Sequence, residues 1–295
     1  MIANHDTDDR PLAPGLYLVA TPIGNLEDIT LRALRVLRKA DRIACEDTRQ
    51  TQKLLNHFEI RTPTVSYHMH NEGSRTEELI AELKTGARIA VVSDAGTPGI
   101  ADPGGQIVAA ALTAGVDVFP IPGANAAISG LIASGLNTEE FTFHGFLPAK
   151  AGQRKTALEN LVRGELTHVF YEAPHRIVDT IADIDAVFGP EQHIVIAREI
   201  TKMHEEFLRG AVKDLRSQLS ARSSVRGEIV LMFSLAPKIE SASESKKTSL
   251  AAEVAALIKS EGISEMDALK RVARERGIGK SEAYRELQRE QNRLR

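Results

Sequence analysis

Residues 93–105 read SDAGTPGIADPGG, packing four glycines, two prolines and two aspartates into thirteen residues. The stretch follows the apolar run 88–92 and leads into a helical pattern over 106–114. Glycine lets a backbone approach a ligand closely or take positive φ without steric cost, while Pro98 and Pro103 stiffen the loop. A strand–loop–helix passage of this kind sits at the carboxyl end of a parallel strand, where open α/β sheets bind ligands. An ordinary βα connection runs to about 2–6 residues; this one is twice as long, which points to a binding loop.

Working outward, apolar strand-like runs at 16–20, 42–45, 64–67 and 116–121 join the central one. Helical patterns at 31–38, 51–58 and 75–84 separate them, with Thr30 placed to cap the first. Five short strands alternating with helices define an α/β sheet, largely parallel. A small-residue helix over 127–134 opens a second unit, with strands expected at 141–145, 168–171, 193–197, 206–209 and 229–235. Helices at 153–162, 177–188 and 212–219 intervene, and several strands separated by only a loop make this sheet more antiparallel.

The expected organisation is a polar, disordered tail over 1–12, an α/β domain over 13–123 and a second α/β domain over 124–236. A linker at 237–247 (KIESASESKK spans 238–247) then leads to a helical module over 248–295. That module has helical runs at 250–260, 265–276 and 281–293, with Ser264 and Asp267 in capping-box spacing and Gly277-Ile278-Gly279 as a turn. A helix-turn-helix-like nucleic-acid module and a dimer-stabilising appendage both fit this pattern.

Charge divides the chain. Residues 238–295 hold 13 basic against 10 acidic side chains, whereas the remainder holds 24 against 30, for a total of −3. An acidic bulk argues against coating nucleic acid over the whole surface and leaves room for a local basic patch. Positions 285, 289 and 293 stack three arginines along one helical face. The single cysteine, Cys45, lies within an apolar strand and reads as a buried structural thiol, which fits a reducing cytoplasm. No apolar run reaches membrane length and the first ten residues are polar, so neither a membrane span nor a signal peptide is expected.

GxGxxG after a strand, GxxxxGK[ST], CxxC and HExxH are all absent, removing the simplest arguments for a dinucleotide, a nucleoside triphosphate or zinc. His68 and His70 would face opposite ways on an extended chain and make poor joint metal ligands, so no metal is expected.

Taken in order, TPIGN (21–25), EDTR (46–49), SDAGTPGIADPG, PIPGANA (120–126), YEAPHR (171–176), AREITK (197–202) and RGE (226–228) resemble the tetrapyrrole-methylase superfamily of S-adenosylmethionine-dependent methyltransferases. EDTR and EAPHR are similar to its ribosomal RNA cytidine 2′-O-methyltransferase branch, as is TPIGN, which stands where many members carry a GxGPG-like loop. The resemblance covers about 14–236, and the helical tail is similar to that branch's appendage.

The resemblance implies a two-domain enzyme, usually a homodimer, methylating small-subunit ribosomal RNA with S-adenosylmethionine in the cleft. It puts Pro22 and Gly24 beside the cofactor, and Asp94, Ala95, Gly96, Thr97 and Pro98 along its site. Gly123, Ala124, Asn125 and Ala126 would hold the adenosine end, with Tyr171, Glu172 and Glu228 reaching in from the second domain. The chemistry agrees: a sulfonium and an ammonium favour nearby carboxylates, an adenine favours an apolar slot, and no pyrophosphate calls for a phosphate fingerprint.

Methyl transfer to a ribose hydroxyl needs in-line placement, and a base speeds it by about 10²–10⁴-fold. Glu46 and Asp47, at a strand's carboxyl end, are the acidic candidates; Arg49, Arg176, Arg198 and Lys202 are candidates for RNA phosphate. Asp47 as a helix cap, Arg198 with Glu199 as an interdomain ion pair and His175 as the cap after Pro174 are equally open. Two other functions remain open at this point, a tetrapyrrole-ring methyltransferase and a ligand sensor that binds nucleic acid through its tail. The polar EDTR and APHR loops and the lack of tryptophan weigh against a porphyrinoid cleft.

Overall fold

The computed structural model describes residues 11–164, 166–235, 250–276, 283–285 and 287–288. They fall into two compact units, Met1–Leu235 and Ala236–Arg295.

The first sheet contains β1 (Gly15–Val19), β2 (Arg42–Cys45), β3 (Thr64–Ser66), β4 (Arg88–Val92) and β5 (Val118–Ile121). Their order is β3-β2-β4-β1-β5 and every pair is parallel. Strands buried on both faces read as unbroken apolar runs, and alternate side chains feed two cores. Tyr17, Val19, Ile43, Cys45, Ala90 and Val92 pack with α1 (Leu31–Lys39) and α2 (Thr48–His57). Leu16, Ala44, Ile89 and Val91 pack with α3 (Glu72–Lys84) and α4 (Gly105–Thr113) on the other face. Thr30 caps α1 as expected, its hydroxyl accepting from the Ala33 N–H at 3.1 Å. Helix α2 begins three residues before its periodic pattern because Asp47 caps it, accepting the Arg49 N–H at 2.8 Å.

Helix α5 (Ala126–Ile132) leads to the second sheet: β6 (Phe141–Phe146), β7 (Thr167–Glu172), β8 (His193–Arg198), β9 (Glu206–Ala211) and β10 (Ile229–Ser234). The order is β6-β7-β10-β8-β9, with β6–β7 parallel and the other pairs antiparallel. Helices α6 (Ala151–Glu159), α7 (Ile177–Phe188) and α8 (Val212–Ser220) cover one face over Phe170, Ile196, Leu231 and Phe233. Helix α5 covers the other face. A Cβ at Gly130 would stand 3.3 Å from Met232 and Val230, so the small residue sets how closely α5 approaches β10. Ile23, from the loop after β1, enters that same core and ties the two sheets together.

In the second unit, α9 (Leu250–Glu261) and α10 (Glu265–Arg276) build their own core from Leu250, Val254, Leu269 and Val272, joined by Ala283 and Leu287. Ser264 accepts the Asp267 N–H at 3.2 Å and donates to its carboxylate at 2.8 Å, the expected cap. Of the tail expected over 1–12, residues 1–10 lie outside the described residues, as do the linker at 237–247, the 277–279 turn, Arg289 and Arg293, whereas Leu12 is buried in the core of the first sheet. His68 and His70 are not on an extended strand: β3 ends at Ser66, the chain turns, and their rings stand 5.9 Å apart. Among the described residues no cluster of metal-binding side chains occurs, and no helix is long and apolar enough to cross a membrane.

Candidate active site

The loops after β1 and β4 leave the carboxyl edge of the first sheet from neighbouring strands, the position where such sheets bind ligands. They are stitched together there. The Thr21 N–H donates to Gly96 O at 2.8 Å, and the Gly96 N–H returns to Thr21 O at 3.1 Å. Ser93 Oγ also donates to Gly96 O at 3.1 Å. Gly96 holds φ +81°, and a Cβ there would stand 3.2 Å from Ile23 Cγ2. Any larger residue is strained in backbone and crowded in space.

This stitched loop forms one wall of a cavity of about 370 Å³. Asp94, Ala95, Gly96 and Thr97 line it from the first sheet's loop, followed by Ile100, Ala101 and Asp102. The lining also takes in Phe146, Tyr171 and Val230 from the second sheet, Glu228 from the loop before β10 and Ile200 from the loop after β8. Burial first, and then the charges of Glu46, Asp94 and Glu228, push the Asp102 carboxyl up to about 6. Burial also raises Tyr171, with Asp102 and Glu228 adding to it against a backbone hydrogen bond from Ala127. The lining is apolar and acidic, without a cation among the described residues.

A second cavity, of about 470 Å³, adjoins the first and shares Ile23, Asp94, Ala95 and Glu228 with it. Thr21, Pro22, Gly24, Leu26 and Lys202 also line it. A Cβ at Gly24 would fall 2.4 Å from the Lys202 stem, so Gly24 makes room for that side chain. Lys202 Nζ donates to Glu199 Oε1 at 2.8 Å and to Glu228 Oε2 at 3.2 Å. Burial works to lower the lysine's pKa, but these two carboxylates outweigh it and raise it, so Lys202 stays a cation. The AREITK and RGE segments interlock around this contact. Glu228 N–H donates to Glu199 Oε1 at 3.1 Å, and Glu199 N–H to Glu228 O at 3.0 Å. Gly227, at φ +90°, leaves the space that the Glu199 carboxyl occupies. Glu199 and Thr201 hold positive φ of 53° and 67°, local strain of the kind that collects at binding sites.

Of the residues singled out in the sequence, Asp94, Ala95, Gly96, Thr97, Ala126, Tyr171, Glu172 and Glu228 meet at the first cavity. Pro22, Gly24 and Lys202 meet at the second. Pro98, Gly123, Ala124 and Asn125 line neither. They act from behind: Thr97 Oγ1 donates to Ala124 O at 3.2 Å, Asn125 caps α5 through Ile128 N–H at 3.1 Å, and Gly123 packs on Ala20. Glu46, Asp47 and Arg49 also stand outside both linings. Asp47 is the α2 cap, and its carboxylate grips the Arg49 guanidinium at 3.1 and 2.9 Å. Those hydrogen bonds hold the Asp47 carboxyl down at about 2. Burial first, then Asp94, raises Glu46.

Two proposed phosphate-binding arginines are already occupied. Arg176 pairs with the buried Glu172 and donates to Leu147 O at 3.0 Å. Arg198 pairs with Glu206 at 3.1 Å and not with Glu199. Nor does His175 cap α7, whose first-turn N–H groups receive no capping side chain. Glu172 accepts from Thr180 Oγ1 at 2.8 Å and from the Ala173 N–H at 2.7 Å. Its fully buried carboxylate therefore braces the turn after β7. Sequence reasoning missed Asp102, Ile100, Phe146 and Ile200; the second aspartate of the opening loop was the available signal for the first.

Two α/β sheets closing on an acidic, apolar cleft at their strand ends define the tetrapyrrole-methylase fold. The structure is similar to diphthine synthase (TM-score 0.57, 15% identity, covering 74% of this chain and 89% of that one). It is also similar to uroporphyrin-III-C-methyltransferase from Thermus thermophilus (TM-score 0.53, 21% identity, 75% and 94%). The sequence model of the tetrapyrrole (corrin/porphyrin) methylases matches residues 15–216. The chain is 47% identical over 270 residues to ribosomal RNA small subunit methyltransferase I of Halalkalibacterium halodurans, covering 91% of this chain and 93% of that protein. It is 43% identical over 271 residues to the protein of that name in Bacillus subtilis, covering 91% and 92%. The chain belongs to the tetrapyrrole methylase family, in the group of ribosomal RNA small subunit methyltransferase I. It is an S-adenosylmethionine-dependent methyltransferase.

Proposed function

We propose that the protein methylates the 2′-hydroxyl of a cytidine in small-subunit ribosomal RNA, acting in the cytoplasm as a homodimer. The observation that carries this reading is the pair of adjoining cavities with one shared wall, Asp94, Ala95 and Glu228. One cavity suits a methyl donor and the other a separate acceptor. The names of the relatives support ribosomal RNA as that acceptor.

The first cavity fits S-adenosylmethionine by its chemistry. Asp94, Asp102 and Glu228 supply negative charge for a sulfonium and an ammonium, and Ile100, Phe146 and Val230 supply apolar surface for an adenine. When bound, S-adenosylmethionine supplies an electrophilic methyl group. The protein's part is orientation: Ser93, Thr21 and Gly96 lock the loop, and Glu172 with Arg176 locks the turn after β7. Such placement is worth several orders of magnitude in rate. Transfer to a hydroxyl releases one proton. The carboxylates of the common wall are suited to receive it, whereas Lys202, held as a cation, is not.

Tritiated methyl transfer from S-adenosylmethionine to small ribosomal subunits, deproteinised rRNA and a porphyrinoid tests the reading. Label in RNA, mapped by mass spectrometry to a cytidine ribose, is the expected result; label in the porphyrinoid alone overturns it.

A further inference from the structure

We propose that the second cavity is the acceptor-nucleotide subsite and that Gln50 and Lys53, on α2, recognise the RNA there, Lys53 through a backbone phosphate. This rests on the RNA-methyltransferase reading above. Gln50, Lys53 and Leu54 occupy positions i, i+3 and i+4 of α2, so one helical face supplies all three to the cavity. The face carries an amide, an ammonium and an apolar side chain, and Leu26 adds a second apolar side chain to the same lining. An RNA nucleotide presents hydrogen-bonding edges, a phosphate and a ribose to such a surface.

The charge balance singles out Lys53. Among the described residues the two cavities are lined by two cations, Lys53 and Lys202. Lys202 is neutralised by Glu199 and Glu228. Lys53 Nζ donates at 2.9 Å to the neutral Oε1 of Gln50 and forms no ion pair with a described carboxylate. An ammonium held by a neutral amide in the lining of an otherwise acidic site is matched to an anion that arrives with the substrate. The arginines that could have served instead are placed otherwise: Arg176 is paired with Glu172 and Arg198 with Glu206, and Arg49, beside Asp47, lines neither cavity. Position agrees as well. The cavity shares Asp94, Ala95 and Glu228 with the donor cavity, so a nucleotide gripped from α2 lies against the wall where the methyl group must be handed over.

The test compares full-length wild type with Lys53→Ala, Lys53→Arg and Gln50→Ala on small ribosomal subunits across a salt series. Lys84→Ala, on an exposed site in α3 away from both cavities, controls for loss of charge. Lys53→Ala is expected to raise KM about two- to fivefold, the worth of one exposed charge contact. Its log–log salt slope should fall by about 0.7–0.9, the share of one phosphate. Calorimetric affinity for S-adenosylmethionine should match wild type, Lys53→Arg should restore KM and slope, and Gln50→Ala should raise KM. If Lys53→Ala keeps the wild-type KM and slope while wild type is active on subunits, the subsite assignment falls alone. Wild type that labels no ribosomal RNA removes the underlying reading instead, and the subsite with it.

Discussion

The Asp47 backbone N–H donates to Asp94 Oδ1 across 3.1 Å, joining the start of α2 to the glycine loop after β4. One carboxylate thus serves two ends. Its Oδ1 fixes the helix that borders the second cavity, and its charge belongs to the wall that both cavities share.

Asp94→Asn separates these roles, because the amide oxygen still accepts the Asp47 N–H while the charge is gone. The fold and melting temperature should stay near wild type. Affinity for S-adenosylmethionine should fall about fivefold by calorimetry, since a charge-assisted contact is about twice as strong as a neutral one. Asp94→Ala should add a stability loss of about 1 kcal/mol for the unmade hydrogen bond. Equal affinity of wild type and Asp94→Asn would remove Asp94 from the cofactor's charge balance.

Asp102 predicts pH effects of opposite sign. Its carboxyl is raised to about 6 in the folded protein, by burial first and then by Glu46, Asp94 and Glu228. The ordinary value is about 3.9. Its proton therefore stabilises the fold below about pH 4, and that stabilisation is lost as pH rises through about 6. Without cofactor, Asp102→Asn should melt higher than wild type at pH 7.5, and the two should converge near pH 4. Cofactor affinity should run the other way. It should rise in wild type from pH 5 to 7.5 as the carboxylate forms, and rise less in Asp102→Asn. Parallel melting curves at every pH would contradict the assignment.

How much of this was legible in the sequence depended on range. The first sheet could be read because each parallel strand is a short apolar run and each helix a periodic one; beyond it, the helices Ile177–Phe188 and Glu265–Arg276 matched to the residue. The strand order β3-β2-β4-β1-β5 could not, since crossovers leave no local mark. Asp94 and Asp102 look alike in a glycine-rich loop, and only burial beside other carboxylates separates them. Arg198 read as a phosphate ligand or as the partner of Glu199, because its actual partner, Glu206, lies further along the sequence, on the neighbouring strand β9. Phe146 reaches the first cavity after a register shift that follows Phe143, which no alternation of residues announces.

The brace behind the first cavity should be costly to break. The Glu172 side chain is 0% exposed and Arg176 15%, and Thr180 completes the contact at 2.8 Å. Glu172→Gln leaves a nearly buried guanidinium unpaired, at about 3 kcal/mol. For a unit of this size that is a melting-temperature loss of about 6–12 °C. Thr180→Val should cost about 1 kcal/mol. Scanning calorimetry that finds Glu172→Gln as stable as wild type would show that the pair does not hold the turn.

The helical tail has its own core, from Leu250 and Val254 to Ala283 and Leu287, so it need not support the unit that carries both cavities. Its 13 basic residues against 10 acidic, in a chain whose remainder is acidic, suit it to guide the enzyme onto RNA. Removing everything after Leu235 should then leave affinity for S-adenosylmethionine unchanged and raise KM for ribosomal subunits. The defect should be largest at low salt and shrink as salt rises, because counterions compete for the phosphates that the tail would neutralise. Calorimetry separates this from damage to the first cavity, and sedimentation separates it from loss of a dimer. Equal KM of truncated and full-length enzyme at every salt concentration would assign the tail to packing alone.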